Sequence, residues 1–200
     1  MAAGRRDGVE VRVKLCFETD RLQFDPLSLD DLDLTVEQFG DPEVVKHVAD
    51  RTYTEAELIE ELPLYIRRAG DGCIGIWRLT EKATGEKIGT AILLPMPIEK
   101  DDTDWGLLDG GDISDGDIEV DYILKRSAWG KGFATEACTR MLRFAFEATP
   151  LDVVVACTAT DNTASQHVLT KCGMKPLGTI RAYQEDIPGF RITKDEWRRL

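Results

Sequence analysis

Trp129-Gly130-Lys131-Gly132-Phe133-Ala134-Thr135-Glu136-Ala137 is the stretch on which the reading of this chain turns. Before it comes an alternating run, Ile118-Glu119-Val120-Asp121-Tyr122-Ile123-Leu124. That run predicts a strand with Ile118, Val120, Tyr122 and Leu124 on one face and Glu119 and Asp121 on the other. After it, Phe133, Ala137, Met141, Phe144 and Ala145 recur at helical spacing, predicting a helix from about Gly132 to Ala148. A strand that runs into glycines and then opens a helix presents unpaired amides at the positive end of a helix dipole, a setting that suits phosphate oxygens. Gly130 and Gly132 let the main chain come close to such a ligand. A dinucleotide fingerprint GxGxxG fails at its third glycine, where Thr135 stands, and the strand before it alternates with acids instead of being apolar throughout. A P-loop would need Gly-Lys-Ser/Thr, which is absent. Glycines of an ordinary turn are the plain alternative.

Working outward, Thr19 to Leu27 reads as a strand and Leu29 to Phe39 as a helix ended by Gly40. Asp41-Pro42 starts a further helix, with proline at its first position. Thr54 and Glu57 form a capping box for a helix running to Ala69. Cys73 to Leu79 and Lys87 to Leu94 are expected to pair as a hairpin around Thr84-Gly85. Residues 99–117 are acidic and glycine-rich and read as a loop. Beyond the central helix come a strand at 152–159, a short helix from Asn162 to Cys172, a strand from Met174 to Tyr183 and a last one from Phe190 to Thr193. This order predicts an α/β (α+β type) domain with a mixed sheet flanked by helices.

The 200 residues suit a single domain. No apolar run reaches the ~18 residues of a membrane span, and the first 15 residues lack the pattern of a secretory or transit peptide, so a cytoplasmic protein without a membrane partner is expected. The five cysteines are odd in number and contain no CxxC, which favours reduced thiols. With two histidines in all, no multi-histidine metal site is available, and no metal is expected. The net charge of −12 is concentrated: nine acids and no Lys or Arg lie between Asp101 and Asp121, leaving −3 for the rest. Nucleic acid is a disfavoured partner, because phosphate contacts need clustered cations. A cationic partner is easier to accommodate.

Taken in order, the strand 118–124, the segment 129–137 and Asp161-Asn162-Thr163-Ala164-Ser165 resemble the GNAT superfamily of acyl-CoA-dependent N-acyltransferases, in particular the branch that acetylates ribosomal-protein N-termini. Glu18-Thr19-Asp20-Arg21-Leu22, Asp41-Pro42-Glu43-Val44, Thr84 to Gly89, Cys172-Gly173-Met174 and Glu196-Trp197 match as well, so the resemblance covers roughly residues 17–197, with residues 1–16 as an extension. It implies a GNAT fold: a mostly antiparallel sheet of six to seven strands, splayed between 118–124 and 152–159. Acetyl-CoA would be the co-substrate. Its pantetheine arm would pair with strand backbone near Ile123 and Leu124, and its pyrophosphate would sit on the amides from Gly130 through Lys131, Gly132, Phe133 and Ala134 to Thr135. Trp129 stands where the wider superfamily often has Gln or Arg. Lys125, Lys131 and Lys171 are candidate cations for CoA phosphates, or else solvated surface charges.

Asn162 and Ser165 have two readings. One makes them a helix N-cap and its first-turn hydroxyl. The other, by resemblance, has Asn162 contact the pantetheine arm and Ser165 protonate the leaving thiolate. For the base, Glu119 matches a glutamate frequent on this strand of the family, and Asp121 stands where glycine is usual. Lying at i and i+2, the two carboxylates are about 7 Å apart, and repulsion raises one pKa. The alternative is two exposed strand carboxylates. Glu185 is a reserve candidate, since Gln184 occupies the position of the acid used in the ribosomal branch. The acidic loop is a solvated excursion, a steering element, or a lid carrying Trp105. His47 and His167 read as surface or cap residues. The expected function is direct acetyl transfer from acetyl-CoA to a primary amine, a protein N-terminus or a small molecule, by a monomer or homodimer. The rival from another class is a non-catalytic acyl-CoA sensor.

Overall fold

The computed structural model describes residues 13–99, 103–108, 112–113 and 116–200. Its strands are β1 (Phe17–Glu18), β2 (Leu22–Pro26), β3 (Gly75–Glu81), β4 (Lys87–Pro95), β5 (Ile118–Leu124), β6 (Val153–Cys157), β7 (Lys175–Ala182) and β8 (Glu185–Thr193). Its helices are α1 (Leu32–Phe39), α2 (Pro42–Val45), α3 (Glu55–Tyr65), α4 (Phe133–Ala148), α5 (Thr163–Lys171) and α6 (Lys194–Trp197). The strands form one sheet in the order β1-β2-β3-β4-β5-β6-β8-β7, and every neighbouring pair is antiparallel except β5–β6. This is the mixed, mostly antiparallel sheet with flanking helices that the element order predicts. No helix among the described residues is long and apolar enough to cross a membrane.

The β5–β6 joint positions the site. β5 pairs with β4 from Gly89↔Leu124 to Pro95↔Ile118, but it meets β6 only at Glu119↔Val155. The strands diverge from that bridge, which is the expected splay. α4 packs on β4 and β5 and against α5. Its buried face carries Phe133, Ala137, Met141 and Phe144. Phe144 stacks on Phe17 at 4.6 Å and meets Trp77 edge-on at 5.2 Å, so its truncation to alanine should cost about 3–5 kcal/mol.

Several elements differ from their expected extents. Among the described residues the sheet has eight strands instead of six or seven. The expected strand 19–27 is divided by a turn closed by Thr19 N–H to Leu22 O, and Phe17 upstream pairs with Phe24 as the short β1. Leu29–Asp31 is a 3-10 turn before α1. α3 ends at Tyr65, short of Ala69, which forms an isolated bridge with Ile74. β8 begins at Glu185, not Phe190. Pro188 and Gly189 hide it in the sequence, yet it lies between β6 and β7, with a register shift between Pro176 and Gly178 in its partner. α6 was not expected, although Thr193 and Glu196 form a capping box that starts it. Upstream of residue 17, Val13 and Leu15 pack against the core and the Leu15 carbonyl accepts the Trp77 indole N–H.

Candidate active site

The loop between β5 and α4 is shaped by two left-handed glycines, Gly130 (φ 71°) and Gly132 (φ 80°). Gly132 is the N-cap of α4 and offers no capping side chain. The first amides of α4 thus lack both intrahelical acceptors and a side-chain cap. A Cβ at Gly130 would meet nothing within 4 Å, and one at Gly132 only Arg21 at 3.5 Å, so the main chain is open to a ligand there. Such an arrangement suits phosphate oxygens.

Arg21 braces the loop from the β1–β2 turn. Its Nη1 donates to Lys131 O at 2.9 Å, its Nε donates to Glu136 Oε2 at 2.6 Å, and its guanidinium lies 4.6 Å above the Phe133 ring. Burial opposes ionisation of Glu136, but bonds from Thr19 and Arg21 outweigh it and hold the carboxyl below its usual range. The acid in the first turn of α4 is thereby neutralised before any anion arrives.

The strand backbone ahead of the loop is partly engaged. Gln38, fully buried on α1, donates to Ile123 O at 2.7 Å, and the Trp129 indole N–H donates to Leu124 O at 2.9 Å. The Trp129 ring is left half-exposed beside Gly130. Lys125 is buried between Glu37 (2.6 Å) and Glu86 (2.8 Å), so its charge is matched within the protein. Lys131 and Lys171 are exposed. Ala134 and Thr135 are part-buried in the first turn of α4.

The carboxylates correct the picture of an exposed acidic face. Glu119, at the single β5–β6 bridge, is only 4% exposed. Its Oε1 accepts a hydrogen bond from the Tyr183 hydroxyl, and its Oε2 accepts one from Cys157 Sγ at 3.7 Å. Burial, and then the nearby Asp121, push its pKa up to about 8. Asp121, part-buried, is raised to about 6 by removal from water, and its Oδ1 accepts the Tyr122 N–H at 2.6 Å.

Tyr183 comes from the two-residue turn between β7 and β8. Tyr183 (φ 52°) and Gln184 (φ 61°) are both left-handed. The turn is docked beyond β4: Tyr183 N–H donates to Pro97 O at 3.0 Å, Gln184 N–H to Ile98 O at 2.9 Å, and Gln184 Nε2 to Glu99 O at 2.6 Å. Arg181 holds Glu99 through two 3.1 Å bonds. Glu185 is exposed at the start of β8.

Across the splay, Asn162 is the N-cap of α5, its Oδ1 accepting Ser165 N–H at 3.1 Å. Tyr122 Oη lies 3.0 Å from Ser165 Oγ. His47 pairs with Asp161 at 3.3 Å. Trp105 packs on Tyr65 at 5.6 Å, while Asp101, Asp102, Asp109 and Asp115 of the acidic stretch lie outside the described residues. The sequence reading did not single out Tyr183, Tyr122, Cys157 and Gln38 as site residues. Tyr183 carried the least signal, because its turn lacks the Asn-Gly or Asp-Gly that marks such hairpins.

The family of the acetyltransferase (GNAT) domain matches residues 21–175. The FsC-acetyl coenzyme A-N(2)-transacetylase of Aspergillus fumigatus is 28% identical over 199 residues, covering 95% of this chain and 81% of that protein. An uncharacterized N-acetyltransferase p20 of Bacillus licheniformis is 26% identical over 186 residues, covering 90% and 96% respectively. Among solved structures, a spermidine N-acetyltransferase from Vibrio cholerae, in complex with CoA and spermine, superposes with a TM-score of 0.68 at 18% identity, over 90% of this chain and 99% of that one. With the splayed sheet and the uncapped glycine start of α4, these matches make the chain a member of the GNAT superfamily, an acetyl-CoA-dependent N-acetyltransferase.

Proposed function

We propose that the enzyme acetylates a primary amine by direct attack, with Glu119 as general base and Ser165 as the acid that protonates the departing sulfur. The observation that carries this reading is the buried Glu119 carboxyl at the one position where β5 pairs with β6, with a proton affinity raised toward that of an amine. A carboxylate of ordinary pKa is a weak acceptor for an amine proton; one near 8 is better matched to that proton at working pH. Acetyl-CoA supplies an activated acyl group on a thioester. The residues of this chain hold and move protons around it: the amides from Gly130 to Thr135 bind phosphate oxygens, Asn162 orders the start of α5, and Ser165 donates from Oγ. As the new N–C bond forms and the C–S bond breaks, the amine proton goes to the base and the sulfur takes one from Ser165.

A cationic acceptor is favoured by the chain's net charge of −12 and by a second carboxylate, Asp121, beside the base. The names of two similar proteins, a spermidine N-acetyltransferase and an N(2)-transacetylase, accord with an amine acceptor. The test is release of free CoA from acetyl-CoA over a panel of polyamines, amino sugars, aminoglycosides and N-terminal peptides. Turnover with at least one primary amine is expected. Binding of acetyl-CoA with no turnover across the panel would instead support the sensor.

A further inference from the structure

The proposed base is enclosed. Glu119 is 4% exposed, and both of its carboxyl oxygens already accept hydrogen bonds, Oε1 from Tyr183 and Oε2 from Cys157. An amine approaching from outside the sheet meets a carboxyl that is almost wholly buried and whose two oxygens each already accept a hydrogen bond. Tyr183 itself is part-buried, stands in the β7–β8 turn and donates its hydroxyl to the enclosed carboxyl. The turn that carries it is strained. Two consecutive non-glycine residues at φ 52° and 61° cost about 1–2 kcal/mol each, and three hydrogen bonds from the turn, with the two-bond ion pair of Arg181 and Glu99 beside them, hold it against residues 97–99.

We propose that Tyr183 is a further catalytic residue, the relay through which the acceptor's proton reaches Glu119. As the amine nitrogen bonds to the acetyl carbon, its N–H proton passes to Tyr183 Oη, and the phenolic proton passes to Oε1 of the ionised Glu119. The phenol is regenerated in the same step, Glu119 ends protonated, and the electron pair of the broken C–S bond goes out on sulfur. Between turnovers the proton leaves Glu119 by the reverse path through the phenol to water. Cys157 is not on this path. Its contact with Oε2 is a long bond from sulfur, a weak donor, and serves to fix the carboxyl.

The relay rests on Glu119 being the base, and the experiment separates the two. Single-turnover acetyl transfer to an amine turned over in the panel is measured for the intact enzyme and for Tyr183→Phe and Glu119→Gln. The acetyl-CoA-induced rise in Tm serves as the control for fold and cofactor binding. Tyr183→Phe should lose about 10²–10⁴-fold in rate with the Tm rise intact. The proton inventory in mixed H2O and D2O should be more strongly curved for the intact enzyme than for Tyr183→Phe, which lacks the phenolic proton. A rate for Tyr183→Phe within a few-fold of the intact enzyme, while Glu119→Gln is inactive, overturns the relay alone. A fully active Glu119→Gln removes the base and the relay with it. If Tyr183→Phe folds poorly, the same comparison is made on a Gln184→Gly background, where glycine relieves the strain at φ 61°.

Discussion

Tyr122 Oη and Ser165 Oγ, 3.0 Å apart, join β5 to the first turn of α5 across the splay. Tyr122 follows Asp121, whose carboxylate holds the Tyr122 amide, and Ser165 is fixed by the Asn162 cap. One strand thus carries both ends of the proposed proton traffic: Glu119 takes a proton, and Tyr122 supports the hydroxyl that gives one.

Ser165→Ala should lower kcat by about 10²–10⁴-fold, with little change in the acetyl-CoA-induced Tm rise, because the proton donor acts late. Tyr122→Phe leaves the hydroxyl of Ser165 in place and should cost less, with the loss again in kcat. Steady-state kinetics and thermal shifts on the two variants check both. Equal losses in cofactor binding would instead assign the pair to the pantetheine arm.

The pH profile follows from the raised carboxyl. A base must be ionised, so kcat should rise with pH through about 8, the pKa to which burial and Asp121 push Glu119. Asp121→Asn removes the neighbouring charge that raises it and should move this limb to lower pH. A limb that stays in place shows that Asp121 does not couple to the base.

Stability carries the same signature with the opposite slope. Between about 4.5 and 8 the folded protein holds a proton on Glu119 that the unfolded chain has released. The group's contribution is therefore full below the unfolded pKa and is lost as pH rises through the folded value. Glu119→Gln removes this loss, so its Tm relative to the parent should be higher at pH 8 than at pH 5. The gain is on the order of a few kcal/mol. Denaturant melts at the two pH values decide it.

Gly132→Val places a β-branched residue at φ 80° against the side from which a phosphate approaches. The apo protein should remain folded with a slightly lowered Tm, and the rise in Tm with acetyl-CoA should disappear. Arg21→Ala should weaken the same rise by loosening the loop that it braces through Lys131 and Glu136.

Gln184→Gly should raise Tm, because glycine takes the left-handed region without the roughly 1 kcal/mol cost borne by a side chain. The loss of its amide contact to Glu99 O offsets part of the gain.

Features carried by local chemistry were legible in the sequence. The strand from Ile118 to Leu124, the Thr54/Glu57 box and the Asn162 cap appear in the structure where the residues place them. The glycines at 130 and 132 are left-handed, as a close main-chain approach requires. The surroundings of Glu119 were not legible. Its partner Tyr183 is 64 residues away and arrives on a turn without turn-forming residues, and Cys157 faces it only because β6 touches β5 at that point. Period-2 alternation places Glu119 opposite the apolar face but does not say whether that face is wet. The strand segment around Pro188-Gly189 was missed for a similar reason: its place between β6 and β7 comes from packing that no local propensity records.

The single bridge at Glu119↔Val155 has a further consequence for the chain before any ligand arrives. Beyond that bridge, β5 and β6 each turn a backbone edge toward the other without pairing, so the sheet contains two edge strands in its interior as well as those at its rims. Amide exchange along these inner edges should be faster than along the β4–β5 ladder and should slow when acetyl-CoA fills the gap. Protein kept without cofactor would then be the form most prone to strand-to-strand association between copies, and storage with CoA the condition that prevents it.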